Sequence, residues 1–151
     1  MAMTMKGEVA LPAPRQIVWE KLNDPEVLKA CIPGCQSLDV TENGGFTAVV
    51  KLKVGPVSAT FKGTVELTDL DPPNGYRIQG QGEGGIAGFA KGGAQVNLTD
   101  AEGGGTLLSY DVEANVGGKI AQLGARLIDG VAKKNADQFF ATFAEVVGKA
   151  V

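Results

Sequence analysis

Apolar and polar positions alternate with a period of two from Ser37 to Val116, and turn signals cut the run at Asn43-Gly44-Gly45, Gly55-Pro56, Pro72-Pro73-Asn74-Gly75 and Gly103-Gly104-Gly105. The pattern predicts a meander of antiparallel hairpins with one dry and one wet face. Phe46, Ala48, Val50, Leu52 and Val54 alternate with Thr47, Lys51 and Lys53, and Val57, Ala59, Phe61, Val65 and Leu67 alternate with Ser58, Thr60, Lys62, Thr64 and Glu66. Tyr76, Ile78, Val96, Leu98, Leu108, Tyr110, Val112 and Ala114 continue the dry face. Ahead of the meander, a short strand ends at Val9 and Leu11, where Pro12 and Pro14 stop it before a helix from Arg15 to Leu22. A second short helix opens with Asp24 as N-cap and Pro25 at its first position, and closes near Cys31 before Pro33-Gly34. After Gly117-Gly118 the period becomes helical to about Val147, with Ile120, Leu123, Leu127, Val131, Phe139, Phe143 and Val146 on one stripe. The expected fold is one α+β domain over residues 1–151: a curved antiparallel sheet of about seven strands, two short helices after strand 1, and a long C-terminal helix covering the dry face.

Several positions on the dry face carry almost no side chain: Ala59, Gly63, Gly80, Gly82, Gly84, Gly92 and Ala94, with Gly124, Ala132 and Ala136 on the facing helix. A glycine inside a strand costs roughly 0.5–1 kcal/mol relative to alanine, so a run of them at alternate positions needs a reason. Sharp sheet curvature is one reason and an unfilled apolar volume is another, and the two are compatible. Read as a cavity, its walls are Phe46, Val50, Phe61, Val65, Ile78, Gly82, Val96, Leu98, Tyr110, Leu123 and Leu127, which offer area and few polar groups. A flat or isoprenoid-like molecule suits such walls better than a sugar or nucleotide. Tyr110 brings one hydroxyl and Asn135, within the helix stripe, one amide, both also readable as core residues with satisfied polar tips. Ile86 and Phe89, on the glycine-rich loop Gly84 to Phe89, read as a cavity gate, as a partner contact, or as residues folded back onto the core.

The chain of 151 residues has a formal net charge of -3 and contains 22 glycines with no triplet period. It therefore has no basic field for phosphates, which argues against nucleic acid as a partner. There is no histidine and only two cysteines, so the commonest general acid/base and metal ligand are missing. Cys31 and Cys35, spaced C-x3-C around Pro33-Gly34, read as a structural turn, and no metal is expected. Gly80, Gly82 and Gly85 spell a dinucleotide-binding motif, but its flanks form a hairpin where the chemistry requires a strand entering a helix. Asp111 and Glu113 alternate with Tyr110 and Val112, which assigns them to solvent rather than to acid/base work. A non-catalytic binding protein is expected. With neither an apolar leader nor a stretch long enough to span a bilayer, its expected location is the cytoplasm, where both thiols stay reduced.

Three segments add a resemblance: Ala30-Cys31-Ile32-Pro33-Gly34-Cys35, Phe61-Lys62-Gly63, and Gly117-Gly118-Lys119-Ile120-Ala121-Gln122-Leu123-Gly124, followed by Phe139-Phe140 and Phe143. In this order and spacing, over nearly the whole chain, they resemble CoxG, a family of carbon monoxide dehydrogenase subunits. That family is a branch of the helix-grip superfamily, also called START-like, Bet v 1-like or SRPBCC. The resemblance implies an accessory protein for molybdenum-containing carbon monoxide dehydrogenases and related hydroxylases, a bound quinone and no covalent cofactor. It also implies a peripheral place at the inner face of the cell membrane. Many members carry a hydrophobic C-terminal tail, and this sequence, which runs to Val151, shows none, so contact through the protein surface or a tail outside these residues is expected. The fold also hosts cyclases, hydratases and general lipid carriers, which remain the alternative readings.

Overall fold

The computed structural model describes all residues, Met1 to Val151. Seven strands, β1 (Ala2–Leu11), β2 (Cys35–Val40), β3 (Phe46–Val54), β4 (Val57–Asp71), β5 (Gly75–Glu83), β6 (Phe89–Asp100) and β7 (Thr106–Gly117), form one antiparallel sheet in the order β1-β7-β6-β5-β4-β3-β2. Helices α1 (Arg15–Leu22) and α2 (Pro25–Cys31) carry the chain from one sheet edge to the other, and α3 (Ala125–Lys149) is the C-terminal helix. The Asp24 side chain accepts a bond from the Glu26 N–H at 3.0 Å, as its N-cap position requires.

Cross-strand register keeps the apolar face continuous. Leu67 pairs with Ile78, Ile78 with Ala94, Ala94 with Val112 and Val112 with Met5, so one row crosses five strands on a single face. Two elements differ from the sequence pattern. β1 is ten residues long rather than short, because Met3, Met5, Gly7, Val9 and Leu11 alternate toward the interior while Thr4, Lys6 and Glu8 stay exposed. The final helix starts at Ala125, not directly after Gly118. Residues Lys119–Leu123 form a 3-10 turn bounded by Gly118 (φ 81°) and Gly124 (φ 96°), backbone that α-helix excludes.

The interior packs as two separate clusters. The larger joins Leu11, Ala13, Val18, Leu22, Cys31, Tyr76, Val96, Leu98 and Leu108 to Phe143 and Val147 of α3. The smaller joins Val54, Val116 and Ile120 to Ile128, near the start of the same helix. The inward row of α3 runs Ile128, Ala132, Ala136, Phe139, Phe143 and Val147, so its two alanines fall between the clusters. No helix is long and apolar enough to cross a membrane.

Candidate functional site

Between the two clusters the concave face of the sheet is bare. One row reads Phe46, Val65, Gly80, Gly92, Ala114 and Met3, and the next Ala48, Gly63, Gly82, Ala90 and Val116. The centres of both rows are glycine and alanine across β4, β5, β6 and β7, opposite Ala132 and Ala136 of α3. Gly63, Gly80, Gly82, Gly92, Ala94 and Ala114 are all only half-buried and belong to neither packed cluster. Protein interiors normally close such a gap with large side chains. Here none is supplied.

The glycines of this band do two different jobs. A Cβ on Gly82 meets nothing nearer than the Lys62 carbonyl oxygen at 3.7 Å, and one on Gly63 only the Gln81 oxygen at 3.5 Å, so both face space that a side chain would enter. Gly92 is different and corrects the expectation that it holds volume open. A Cβ there falls 2.7 Å from the Ala114 Cα and nearer still to the Glu113 carbonyl oxygen, so Gly92 lets β6 and β7 approach across the bend of the sheet. Gly80 is intermediate, with contacts at 3.2 Å to the Thr64 oxygen and 3.3 Å to Val65 Cγ2.

The residues expected to line a cavity fall into three groups. Phe46, Val50, Val65, Ile78 and Gly82 lie on the concave face beside or within the bare band, with Phe61 and Leu123 at the edge of the smaller cluster. Val96 and Leu98 lie beyond the band; Leu98 is 2% exposed and sealed into the larger cluster, six residues along β6 from Gly92. Leu127 and Asn135 lie outside. Leu127 is 36% exposed and covers Gly55 of the β3–β4 turn, because the true helix start rotates Ile128 inward in its place. Asn135, half-buried at the edge of the inward helix face, lines an open groove beside Val131 and Lys134. Of the loop residues, Ile86 is 91% exposed and Phe89 48% exposed, so neither folds back onto the core, although the Phe89 ring lies against Gly117.

Tyr110 is fixed on both sides. Its ring lies over Gly7, its register partner on β1, where any Cβ would collide with it, and stacks on Phe140 at 5.3 Å and 17°. This clamp is not visible in the sequence, since it needs the register of β1 against β7; the only signal is a glycine at an apolar position of strand 1. Tyr76 is sealed between Trp19, edge-on at 5.3 Å, and the larger cluster, and burial pushes its phenol well above the usual tyrosine range. Burial also raises the Cys31 and Cys35 thiols, and for Cys35 the nearby Lys29 and the Ser37 backbone act in the opposite direction. No three His, Cys, Asp or Glu side chains gather closely enough to hold a metal ion.

A curved seven-stranded sheet gripping a C-terminal helix, with small residues where the two face each other, defines the Bet v 1-like helix-grip class. Within that class, the family model for the CoxG subunit of carbon monoxide dehydrogenase matches residues 7–148, and the chain belongs to that family. A crystal structure of a conserved protein from Geobacillus kaustophilus is 33% identical, with a TM-score of 0.92 over 98% of this chain and 97% of that one. The ZhuI aromatase/cyclase from Streptomyces sp. R1128 is 16% identical, with a TM-score of 0.68 over 97% and 94% of the two chains. Norcoclaurine synthase from Thalictrum flavum, solved with dopamine and hydroxybenzaldehyde, is 15% identical, with a TM-score of 0.66 over 97% and 87%. The last two likenesses carry the fold and nothing finer. No curated protein matches the chain significantly.

Proposed function

We propose that this chain is a non-catalytic accessory protein that binds an apolar small molecule, a quinone, between its sheet and its C-terminal helix. In this reading it helps couple or recruit a molybdenum-containing carbon monoxide dehydrogenase, or a related hydroxylase, to the membrane. The observation that carries the ligand half is the bare band between two packed clusters, where Cβ atoms on Gly63 and Gly82 would enter open space. Family membership supports the partner half. A flat apolar ring fits the band because its walls, Val50, Val65, Ile78 and Val112, present methyl groups and its floor is Tyr110 stacked on Phe140. A bound quinone would supply two-electron redox chemistry. The residues of this chain would hold it, orient it between sheet and helix, and exclude water. The strand carboxylates Glu8, Glu66, Glu83, Asp111 and Glu113 are all exposed, which supports a carrier over an acid/base catalyst.

The test is native mass spectrometry of gently purified protein, with solvent extraction of whatever is bound. One apolar ligand per chain and saturable binding of added quinone are expected. Finding no extractable quinone and no binding of added quinone sinks the ligand half. Failure to co-migrate with a purified molybdenum-containing carbon monoxide dehydrogenase on size exclusion sinks the partner half.

A further inference from the structure

β2 ends its pairing with β3 at Cys35 opposite Val50, and the last bond across that edge runs from the Lys51 N–H to the Gly34 carbonyl oxygen at 2.9 Å. Beyond it the edge of β3 is open. Alternate residues of a strand turn their N–H groups to the same side, so the Lys53 N–H faces outward where β2 no longer runs. This free edge and α3 bound a groove of about 460 Å³, lined by Lys51, Leu52 and Lys53 along the strand edge and by Val131, Lys134, Asn135 and Gln138 on the helix. Positions 131, 134, 135 and 138 share one helix face. None of the three lysines takes part in an ion pair, and no carboxylate lines the groove, although the chain as a whole is acidic. The groove continues through Val131 and Lys134 onto an apolar shelf of Leu123 and Leu127, flanked by Arg126. Leu127 and Val131 are one helical turn apart and Leu123 lies beyond, so the shelf extends roughly 10 Å.

We infer that this groove is a second binding site, separate from the interior band, for an amphiphile with an acidic head. Its carboxylate or phosphate sits among Lys51, Lys53, Lys134 and the Lys53 N–H, and its alkyl chain lies along Val131 and Leu127. Lys134, the free Lys53 N–H and two amides line the groove, Lys51 and Lys53 border it along the β3 edge, and the apolar shelf adjoins it. A neutral quinone would have no use for the lysines, which is why the two sites take different chemistry.

Calorimetric titration with octyl phosphate, octanoate, 1-octanol and inorganic phosphate tests the assignment. Both octyl acids are expected to bind one per chain, about tenfold or more tighter than 1-octanol and tighter still than inorganic phosphate. The exposed pair Lys53→Gln/Lys134→Gln should weaken the acids about tenfold and leave 1-octanol unchanged. Lys133→Gln, whose lysine is paired with Asp137 away from the groove, should change nothing. Gly82→Leu, which fills the interior, should leave octyl phosphate binding intact; if it abolishes that binding, the acid occupies the interior and the inference fails. Equal affinity for 1-octanol, full affinity in the lysine variant, or inorganic phosphate binding as tightly as octyl phosphate each overturns it as well. A wild type that binds octyl phosphate but no quinone leaves this site standing and removes the proposed function instead.

Discussion

Gly82 and Gly92 occupy the same concave face in neighbouring strands, yet the space around them predicts opposite responses to substitution. Gly82→Leu places its side chain in open volume, so its urea midpoint is expected to correspond to a stability within about 1 kcal/mol of the wild type. Gly92→Ala, with only one added carbon, forces β6 from β7 and is expected to cost about 1–3 kcal/mol. In the sequence the two glycines look alike, because both sit at alternate positions of a glycine-rich strand. The distance from Gly92 to the Glu113 and Ala114 backbone, which separates them, exists only once the sheet has curved. Tyr76 supports a second prediction at this scale. Its phenol ordinarily titrates near 10.0, and burial raises it in the folded protein, so the neutral form is the one that folding favours. Its contribution is fully present below pH 10 and is lost as the pH rises above that value. Stability measured from pH 8 to 11.5 should therefore fall more steeply in the wild type than in Tyr76→Phe, by about 1.4 kcal/mol per pH unit above pH 10. Parallel curves would mean that the phenol reaches water.

At the scale of elements, the hairpins are legible because period-two alternation and turn chemistry agree at four of the five junctions from Ser37 to Val116. The start of the last helix is not. Ile120, Leu123, Leu127 and Val131 are spaced three and four apart, so the apolar stripe runs unbroken through a backbone that breaks at Gly118 and Gly124. Periodicity records which residues are apolar, whereas the φ of 96° at Gly124 belongs to the backbone. The cost of that one misplaced boundary is Leu127, assigned inward when Ile128 is the buried neighbour. Gly124 adopts φ 96° and ψ 154°, a region open essentially to glycine alone, and a Cβ there would meet nothing within 4 Å. Gly124→Ala should therefore cost about 1–3 kcal/mol through backbone strain without any clash. Gly124→Ser should cost the same, since neither side chain has a neighbour. A stabilised Gly124→Ala, read by thermal melting, would show that the break is not required and that α3 can extend back to Lys119.

For the whole molecule, the decisive feature is that α3 is held at two ends and thin in the middle. Its first turn packs through Ile128 and its last turns through Phe143 and Val147, while Ala132 and Ala136 face the glycine rows of the sheet. Sheet order and helix placement follow from the sequence pattern. The separation of the core into two clusters does not, because it depends on which rows of the sheet lie opposite which turns of the helix. A ligand in the band would touch both clusters and both layers and bind only the folded chain, so it must stabilise the fold by mass action. At a quinone concentration about 100 times its dissociation constant, the gain is about 2.7 kcal/mol. For a chain of this size that gain corresponds to a rise in melting temperature of roughly 5–10 °C. Gly82→Leu provides the control, since its side chain takes the same volume: its ligand-free melting temperature should stay near that of the wild type while the quinone-induced rise disappears. A rise of equal size in both proteins would place the ligand elsewhere. A wild type whose melting temperature no quinone or isoprenoid moves would mean that the band closes in solution and that the small residues serve curvature alone.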